Sequence, residues 1–295
     1  MEGHSSQDIK QFLSQSSPDK KALYSKGHPL PLVSIITPSL NQGQFLERTI
    51  LSVRNQDYPL IEHIVVDGGS SDNTLDILRK YHGDLTWVSE PDSGQSDAIN
   101  KGLGMAKGDI LAYLNSDDIY LRGAIRRVVE FFGESSKTDM IYGNYLMIDQ
   151  DENVLRKCRL FEICFADLLK RNIIGQPAVF FRRRILEEVG PLDVSLRYSM
   201  DFDLWLRIAS AGTIRHMNQF LSCFRIHPKS KSVRNRVRFS KEAYFKVRTK
   251  YVSDKWSLYL PYSITVARFS MKSLFSFLAG DARLERLLGI LKQRL

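Results

Sequence analysis

Cysteine is scarce in this chain. Only three occur among 295 residues, at Cys158, Cys164 and Cys223, and no two of them have CxxC spacing. A disulfide framework needs an even number of cysteines, and structural zinc sites are typically marked by CxxC-like spacing, so this odd and scattered set indicates neither. A reducing compartment is therefore the expectation.

Long apolar runs are absent as well. A helix needs roughly 18 or more consecutive apolar residues to cross a bilayer, and no such run occurs in the sequence. The opening residues, MEGHSSQDIKQFLSQSSPDKK, have neither the basic start nor the apolar stretch of a signal peptide. We therefore expect a cytoplasmic protein.

Two familiar nucleotide-binding signatures are missing. No GxGxxG follows the first predicted strand, which argues against a dinucleotide-binding Rossmann site. No GxxxxGKS or GxxxxGKT occurs either, which argues against a phosphate-binding loop of that type. A nucleotide site in this chain would have to be built from other loops.

Acidic residues are few in the C-terminal part. From Val233 onward there are 14 Lys and Arg against 4 Asp and Glu, whereas the rest of the chain has 28 against 29, so the net charge of +9 belongs to the tail. A nucleic-acid-binding surface would need basic residues interleaved with aromatic ones on the body of the protein. The near-neutral body lacks that charge, so we expect no nucleic-acid partner.

The sequence does contain a regular alternation of strands and helices. A polar, flexible leader at 1–30, with one short helix near IKQFL, precedes four apolar runs that alternate with amphipathic segments of helical spacing. The runs are VSIITPS, IEHIVVD, LTWVS and DILAYLN. This alternation is typical of an α/β domain with a mainly parallel sheet flanked by helices.

Polar loops follow each of these four strands: TPSLNQG, DGGSSD, EPDSGQ and NSDD. Open α/β sheets bind ligands at the carboxyl ends of their strands, so four such loops in succession predict one shared site. The last loop has two adjacent carboxylates, Asp117 and Asp118, which repel each other unless a cation lies between them. Mg²⁺ or Mn²⁺ bridging these carboxylates to a phosphate group would explain the pair.

The stretch VSIITPSLNQGQFLERTILSVRNQDYPLIEHIVVDGGSSDNT, together with LNSDD, resembles the nucleotide-sugar half of family 2 glycosyltransferases with the GT-A fold. The resemblance covers 31–232 and divides it into a nucleotide-sugar half at 31–130 and an acceptor and catalytic-base half at 131–232. It implies a Rossmann-like sheet of GT-A type. It also implies contacts to the sugar nucleotide from Thr37, Pro38, Asp67 and Ser116. Glu90 and Gln95 lie in the third polar loop, and we expect them to contact the nucleotide or the sugar as well, a role in the turn being the alternative.

The metal-binding element of that family is DxD-like, and it matches Asn115, Ser116 and Asp117. The first acid of the element is Asn in this chain. The resemblance therefore implies that Asp117 is the main ligand of the divalent cation, with Asp118 beside it.

Two segments of the second half resemble the rest of the family's active site. YSMDFDLWLRIASAG is similar to the helix start EDxDLWLR, with Met200 in place of Glu and Asp201 at the position of the general base. FRIHPKSKS is similar to RxHxxSxS, which implies that His227 is a further metal ligand or a diphosphate contact. The same segment would place positive charge around the leaving group, from Arg225, Lys229 and Lys231.

The resemblance implies an inverting, metal-dependent glycosyltransferase. Its donor would be a nucleotide-diphosphate sugar, uridine-based, and its acceptor a glycan or a polyprenyl-linked saccharide of the cell envelope. One alternative is a sugar nucleotidyltransferase, which would need a basic Gly-rich loop after the first strand, and TPSLNQGQF contains no Lys or Arg. The other is a catalytically silent sugar-nucleotide-binding module, which the presence of both Asp117 and Asp201 disfavours.

The tail at 233–295 has a different pattern. The segments YSITVARFSMKSLFSFL and RLERLLGILKQRL place apolar residues on one helical face and Lys and Arg around it. Basic amphipathic helices bind anionic bilayer surfaces, and each Lys or Arg contributes about 1 kcal/mol. We therefore expect peripheral attachment to the inner face of the membrane. Packing against the catalytic domain, or a contact within an oligomer, are the alternatives.

Overall fold

The computed structural model describes residues 5–15 and 30–252. The chain divides after Ser230 into two compact units, 1–230 and 231–295. The helices and strands of the first unit are α1 Ser6–Ser14, β1 Val33–Ser39, α2 Gly43–Arg54, β2 Ile61–Asp67, α3 Thr74–Lys80, β3 Thr86–Ser89, α4 Gln95–Met105, β4 Ile110–Tyr113, β5 Ile119–Tyr120, α5 Ala124–Glu134, β6 Met140–Ile148, β7 Val154–Cys158, α6 Phe165–Lys170, a 3-10 turn Gln176–Ala178, β8 Val179–Arg182, α7 Arg183–Val189, α8 Met200–Ala211 and β9 Ile214–Arg225.

The strands form one sheet in the order β3-β2-β1-β4-β8-β6-β9-β5, with β7 paired to β6. The four strands β3, β2, β1 and β4 are parallel. Strand β8 runs antiparallel to both β4 and β6, so the second half of the chain joins the sheet in mixed directions. The predicted α/β class is confirmed, and its parallel part is the portion that the strand and helix alternation indicated.

The centre of the parallel part is β1. All seven of its residues are buried, as expected for a strand with neighbours on both sides and helices against the sheet. Helix α4 packs very closely here because Gly102 has no side chain: a Cβ at that position would lie 2.4 Å from Cγ2 of Ile36. Since α4 follows β3 and runs back along the sheet, its first residue, Gln95, lies at the carboxyl edge of the strands.

Helix α1 lies where the sequence predicts a short helix, near IKQFL in the leader. Its start is fixed by a capping box in which Ser5 and Asp8 accept each other's main-chain N–H groups. Its buried face packs Ile9, Phe12 and Leu13 into a cluster with strands β5, β6 and β9. Part of the leader therefore belongs to the core, because three apolar side chains recur on one face of a helix in an otherwise polar segment.

The second unit is described as far as residue 252. It contains α9 Lys231–Arg234 and α10 Arg236–Glu242, followed by a π-helical turn and a 3-10 turn. The amphipathic segments predicted at 262–278 and 283–295 lie outside the described residues. Within 5–15 and 30–252, no helix combines the length and the hydrophobicity that crossing a bilayer requires.

Candidate active site

The four polar loops meet at the carboxyl edge of the parallel strands, as predicted. The loop after β1 is joined to the loop after β2 by the N–H of Asn41, which donates to Oγ of Ser70 at 2.7 Å. The third loop joins the second because the N–H of Glu90 donates to the carbonyl of Asp67 at 3.0 Å. The fourth joins the third through Nε2 of Gln95, which donates to Oδ1 of Asn115 at 2.7 Å. Hydrogen bonds thus connect all four loops in series.

Thr37 and Pro38 lie in the buried strand β1. Oγ1 of Thr37 lies 3.0 Å from Nε2 of His63, which is on β2. Burial lowers the pKa of His63 to about 3, so this imidazole is neutral at ordinary pH. The contact that the structure provides for Thr37 is therefore internal, and the predicted nucleotide role of Thr37 and Pro38 stays a prediction.

Asp67 ends β2 and is fully buried. Its carboxylate accepts hydrogen bonds from the N–H groups of Gly69 and Ser70 and from the hydroxyls of Ser70 and Ser89. Gly69 has φ of +83°, a left-handed conformation that favours glycine. In this arrangement Asp67 fixes the turn after β2, and a direct nucleotide contact stays a prediction.

The third loop has one residue directed to the surface and one directed to the site. Glu90 is exposed and forms an ion pair with Nζ of Lys101 at 2.9 Å. Gln95 is the first residue of α4 and bonds to Asn115 in the loop after β4. Of these two predicted sugar-nucleotide contacts, only Gln95 is tied to the loop that carries the two aspartates.

Asp117 and Asp118 are adjacent in sequence, but their carboxylates lie in different environments. Asp118 is 1% exposed, and it accepts from the main-chain N–H of Arg225 at 2.8 Å and from Nδ2 of Asn115 at 3.2 Å. Burial raises the pKa of Asp118 well above its usual range, and the charge of Asp117 adds to this effect. The side chain of Asp117 is 21% exposed. The two carboxylates therefore do not form a symmetric pair, and Asp117 is the accessible one.

His227 lies against Asp117 although 110 residues separate them. Its Nε2 is 3.1 Å from Oδ2 of Asp117, and its ring centroid is 4.7 Å from that of Phe45 on α2. The main-chain N–H of His227 donates to Oγ of Ser230, which fixes the turn after β9. Two of the three predicted metal ligands are thus brought together. No group of three His, Cys, Asp or Glu side chains suited to a metal ion occurs in the described part of the chain.

The aspartates at the start of α8 also differ from each other. Asp203 is buried and pairs with Nε of Arg207 at 2.9 Å, and that guanidinium also donates to three carbonyls that precede α8. Asp201 is partly exposed, and its Oδ1 accepts from the N–H of Phe202 at 2.7 Å. Burial raises the pKa of Tyr113, the last residue of β4, well above its usual range, and the charge of Asp201 raises it further.

The sequence matches a known protein family. Residues 34–190 match the sequence profile described as "Glycosyl transferase family 2". The chain belongs to this family. A relative in Bacillus subtilis (strain 168), the glycosyltransferase TuaG named for teichuronic acid biosynthesis, is 34% identical over 227 residues, which is 74% of this chain and 88% of TuaG. The predicted family and the predicted transferase class are confirmed.

Solved glycosyltransferases share the fold. A mannosyltransferase from Pyrobaculum calidifontis, solved with GDP-Man and Mn²⁺, has a TM-score of 0.62 at 18% identity and covers 98% of this chain and 86% of its own. S. aureus TarS 1–349, solved with UDP-GlcNAc, has a TM-score of 0.60 at 15% identity, with 87% of this chain and 77% of its own covered. In the longer TarS chain the match spans 41%. At these identities the likeness shows the GT-A fold alone.

In this glycosyltransferase the side chain of Arg225 is bonded within the protein, and its predicted contribution of positive charge around the leaving group stays a prediction. Its side chain is 1% exposed. Its Nε donates to the carbonyl of Asp117 at 2.7 Å, and its other guanidinium nitrogens donate to the carbonyls of Asp149 and Gln150 and to the carboxylate of Glu152. Arg225 therefore fixes the main chain of the aspartate loop from inside the protein.

Glu152 is a residue of this network that sequence reasoning missed. Its carboxylate also accepts from Nε of Arg48, on α2, at 2.7 Å. Although burial alone would raise it, the guanidinium groups of Arg48 and Arg225 hold the pKa of Glu152 below its usual range. No local pattern identifies Glu152, because its two partners lie 104 and 73 residues away in the sequence.

Proposed function

We propose that this glycosyltransferase moves a sugar from a uridine-diphosphate donor to a hydroxyl of a glycan or lipid-linked saccharide, with inversion at the anomeric carbon. The observation that carries the proposal is the contact of Asp117 with His227 at the end of β4, where four polar loops converge. The relative TuaG is named for teichuronic acid biosynthesis, and the TarS structures contain UDP-GlcNAc or UDP, which supports this choice of donor and acceptor class.

Asp201 is proposed as the general base. Its partly exposed carboxylate takes the proton of the acceptor hydroxyl while the hydroxyl oxygen attacks the anomeric carbon. The bond from that carbon to the phosphate oxygen breaks, and the nucleoside diphosphate leaves with the bonding electrons. Attack from the face opposite to the leaving group inverts the anomeric configuration, and proton removal of this kind contributes about 100-fold to 10,000-fold in rate.

Asp117 and His227 are proposed to hold a divalent cation. Carboxylate oxygens are ligands that suit Mg²⁺ and Mn²⁺, and an imidazole nitrogen lies within 3.1 Å of the Asp117 carboxylate. Asp118 fits a ligand role less well, because both of its oxygens already accept hydrogen bonds from this chain. A bound cation would neutralise the negative charge that develops on the departing diphosphate. The Mn²⁺ in the mannosyltransferase structure supports testing manganese first.

Membrane attachment through the basic tail is proposed on the sequence pattern alone. The protein should sediment with vesicles that contain about 30% phosphatidylserine, and it should lose this binding when residues 253–295 are removed. Equal sedimentation with neutral vesicles, or binding that survives the truncation, would contradict the attachment. Either result leaves the donor chemistry open to its own test.

The donor test is release of nucleoside diphosphate from a panel of sugar nucleotides. The wild-type protein should hydrolyse one uridine-based donor slowly without acceptor, and EDTA should stop this release. Binding of a donor without turnover, with or without added acceptor saccharides, would favour the silent binding module. Formation of a sugar nucleotide from a sugar phosphate and a nucleoside triphosphate would favour the nucleotidyltransferase.

A further inference from the structure

The amide of Asn115 is the central member of a chain of hydrogen bonds across the candidate site. Its Oδ1 accepts from Nε2 of Gln95 at 2.7 Å, and its Nδ2 donates to Oε1 of Gln176 at 3.0 Å. Nε2 of Gln176 in turn donates to the main-chain carbonyl of Tyr113 at 2.6 Å. The chain links three separate segments: the start of α4, the loop after β4 and the 3-10 turn before β8.

The main-chain carbonyl of Tyr113 determines which group donates and which accepts in each of these hydrogen bonds. The carbonyl of Tyr113 can only accept, so the Gln176 amide must present its NH₂ to it and its oxygen to Asn115. Asn115 must then present its own NH₂ to Gln176, which leaves its oxygen for Gln95. Each side-chain amide therefore has one allowed orientation, and position 115 must both donate and accept.

The 3-10 turn that carries Gln176 is buried and closely packed. It begins after Gly175, and a Cβ at that glycine would lie 2.4 Å from Cε1 of Tyr145, so the main chain is packed directly against that ring. Gln176 and the following Pro177 are buried. Gln176 therefore presents its oxygen from a fixed position.

A carboxylate at position 115 could not make the hydrogen bonds that the Asn115 amide makes. It has no donor for Oε1 of Gln176, and a rotated Gln176 would place its oxygen against the carbonyl of Tyr113 instead. It would also face the carboxyl group of Asp118, to which Nδ2 of Asn115 now donates. The family resemblance suggests the opposite outcome, because an acid at 115 would complete a DxD element and add a ligand for the cation.

We propose that Asn115 is a positioning residue that holds the Asp117 loop through its one-way hydrogen-bond chain to Gln95 and Gln176, and that a carboxylate at position 115 weakens donor and cation binding. The inference rests on the proposed function, since it concerns the same site. It predicts that this protein binds its donor and cation better with Asn at position 115 than with the Asp that would complete the DxD element.

The experiment compares Asn115→Asp and Gln176→Glu with the wild-type protein. The first measurement is thermal unfolding in EDTA without donor. The second is the Mn²⁺ concentration that gives half-maximal binding of uridine diphosphate, measured by calorimetry well below the unfolding temperature. Asn41→Asp is the matched control for unfolding, because it adds the same charge in the loop after β1, where the contacts of Asn41 with Ser71 use only Oδ1 as an acceptor.

The inference predicts that both variants unfold at least about 3 °C below the wild type, because a buried partner loses its hydrogen bond, and that Asn41→Asp changes by less than about 1 °C. It also predicts that Asn115→Asp needs at least about 10-fold more Mn²⁺ for half-maximal binding, a loss of about 1.4 kcal/mol. An unchanged or lower Mn²⁺ requirement would overturn it, whatever the unfolding temperature. If the wild-type protein bound and hydrolysed no donor, the proposed function would fail and this inference with it.

Discussion

The loop after β4 and the start of α8 each have two aspartates close together in sequence, and the buried aspartate is stabilised differently in the two places. In each pair one carboxylate is 1% exposed and held inside the protein, Asp118 and Asp203, while the other is accessible, Asp117 and Asp201. Asp203 is neutralised by Arg207, one helical turn along α8. Asp118 is held by two N–H groups that carry no charge, from the main chain of Arg225 and from Asn115.

The buried aspartate of each pair stabilises the protein, whereas the more exposed one can contact a substrate or a cation. A buried ion pair is costly to break, because its removal leaves an unpaired charge in the interior. Within the described residues Asp118 has no such cationic partner at its carboxylate, and burial together with the charge of Asp117 raises its pKa, which its neutral hydrogen-bond donors only partly oppose. The more exposed partner in each pair, Asp117 or Asp201, is the residue to which the proposed mechanism assigns a role.

The strongest test on the α8 side is Asp201→Asn. This change keeps the size of the side chain and removes its ability to take a proton, so kcat for sugar transfer should fall by about 100-fold to 10,000-fold. The dissociation constant of the donor should stay within about twofold of the wild-type value, because the base acts on the acceptor. Transfer at the wild-type rate would remove Asp201 from the mechanism.

On the β4 side the comparison is sharpened by Asp117→Ala. Loss of several kcal/mol of stabilisation of the departing diphosphate should reduce Mn²⁺-dependent release of nucleoside diphosphate by about 1,000-fold. The unfolding temperature should change little, since Asp117 is partly exposed.

Asp118→Asn should lower the unfolding temperature and have the smaller effect on release of nucleoside diphosphate. The unfolding temperature falls because the new NH₂ group would face one of the two N–H donors that now bond to the carboxylate.

Asp203→Ala should act on stability. Removing this carboxylate leaves Arg207 without its charged partner in a largely buried position, which should lower the free energy of unfolding by about 3 kcal/mol. Urea denaturation of the variant and the wild type would measure this loss. A loss below about 1 kcal/mol would show that the ion pair between Asp203 and Arg207 contributes no more to stability than an exposed ion pair does.

A smaller effect is expected from His63, the buried neutral imidazole beside Thr37. Its pKa is about 3 in the folded state against 6.5 for an unperturbed histidine, so the unfolded chain binds the extra proton between these values. Stability is complete above pH 6.5 and falls toward pH 3 by up to about 1.4 kcal/mol per pH unit. Between pH 7 and pH 5 the wild type should therefore lose more stability in urea than His63→Gln. Equal losses would show that His63 does not stay neutral.

Much of the nucleotide side could be predicted from the sequence, because strands, helices and the loops between them follow local patterns. The accessible partner in the NSDD loop could not be predicted in this way. Asp118 is engaged by Arg225, which is 107 residues away, and Asp117 by His227, which is 110 residues away. The Asp203 pair with Arg207 could have been read from the sequence, because the two residues are four apart on a helix.

Two features of the structure could not be predicted from the local sequence, for related reasons. A short helix near IKQFL was predicted, but the sequence did not indicate that its apolar face packs against strands β5, β6 and β9, far along the chain. Arg225 was expected to add positive charge around the leaving group, which stays a prediction, but the sequence did not indicate that its side chain also bonds to Glu152 and to the carbonyl of Asp117. In both cases the contact that decides the outcome is long-range, so the local pattern does not contain it.

The central claim is that Asp117, and not its neighbour, serves the departing diphosphate. The most direct measurement is Mn²⁺-dependent release of uridine diphosphate from its sugar donor by the wild type, Asp117→Ala and Asp118→Asn, each below its unfolding temperature and with an EDTA control. The account predicts that Asp117→Ala reduces release to the EDTA background while Asp118→Asn keeps release within about 10-fold of the wild type. Equal losses in both variants, or release by Asp117→Ala at the wild-type rate, would contradict it.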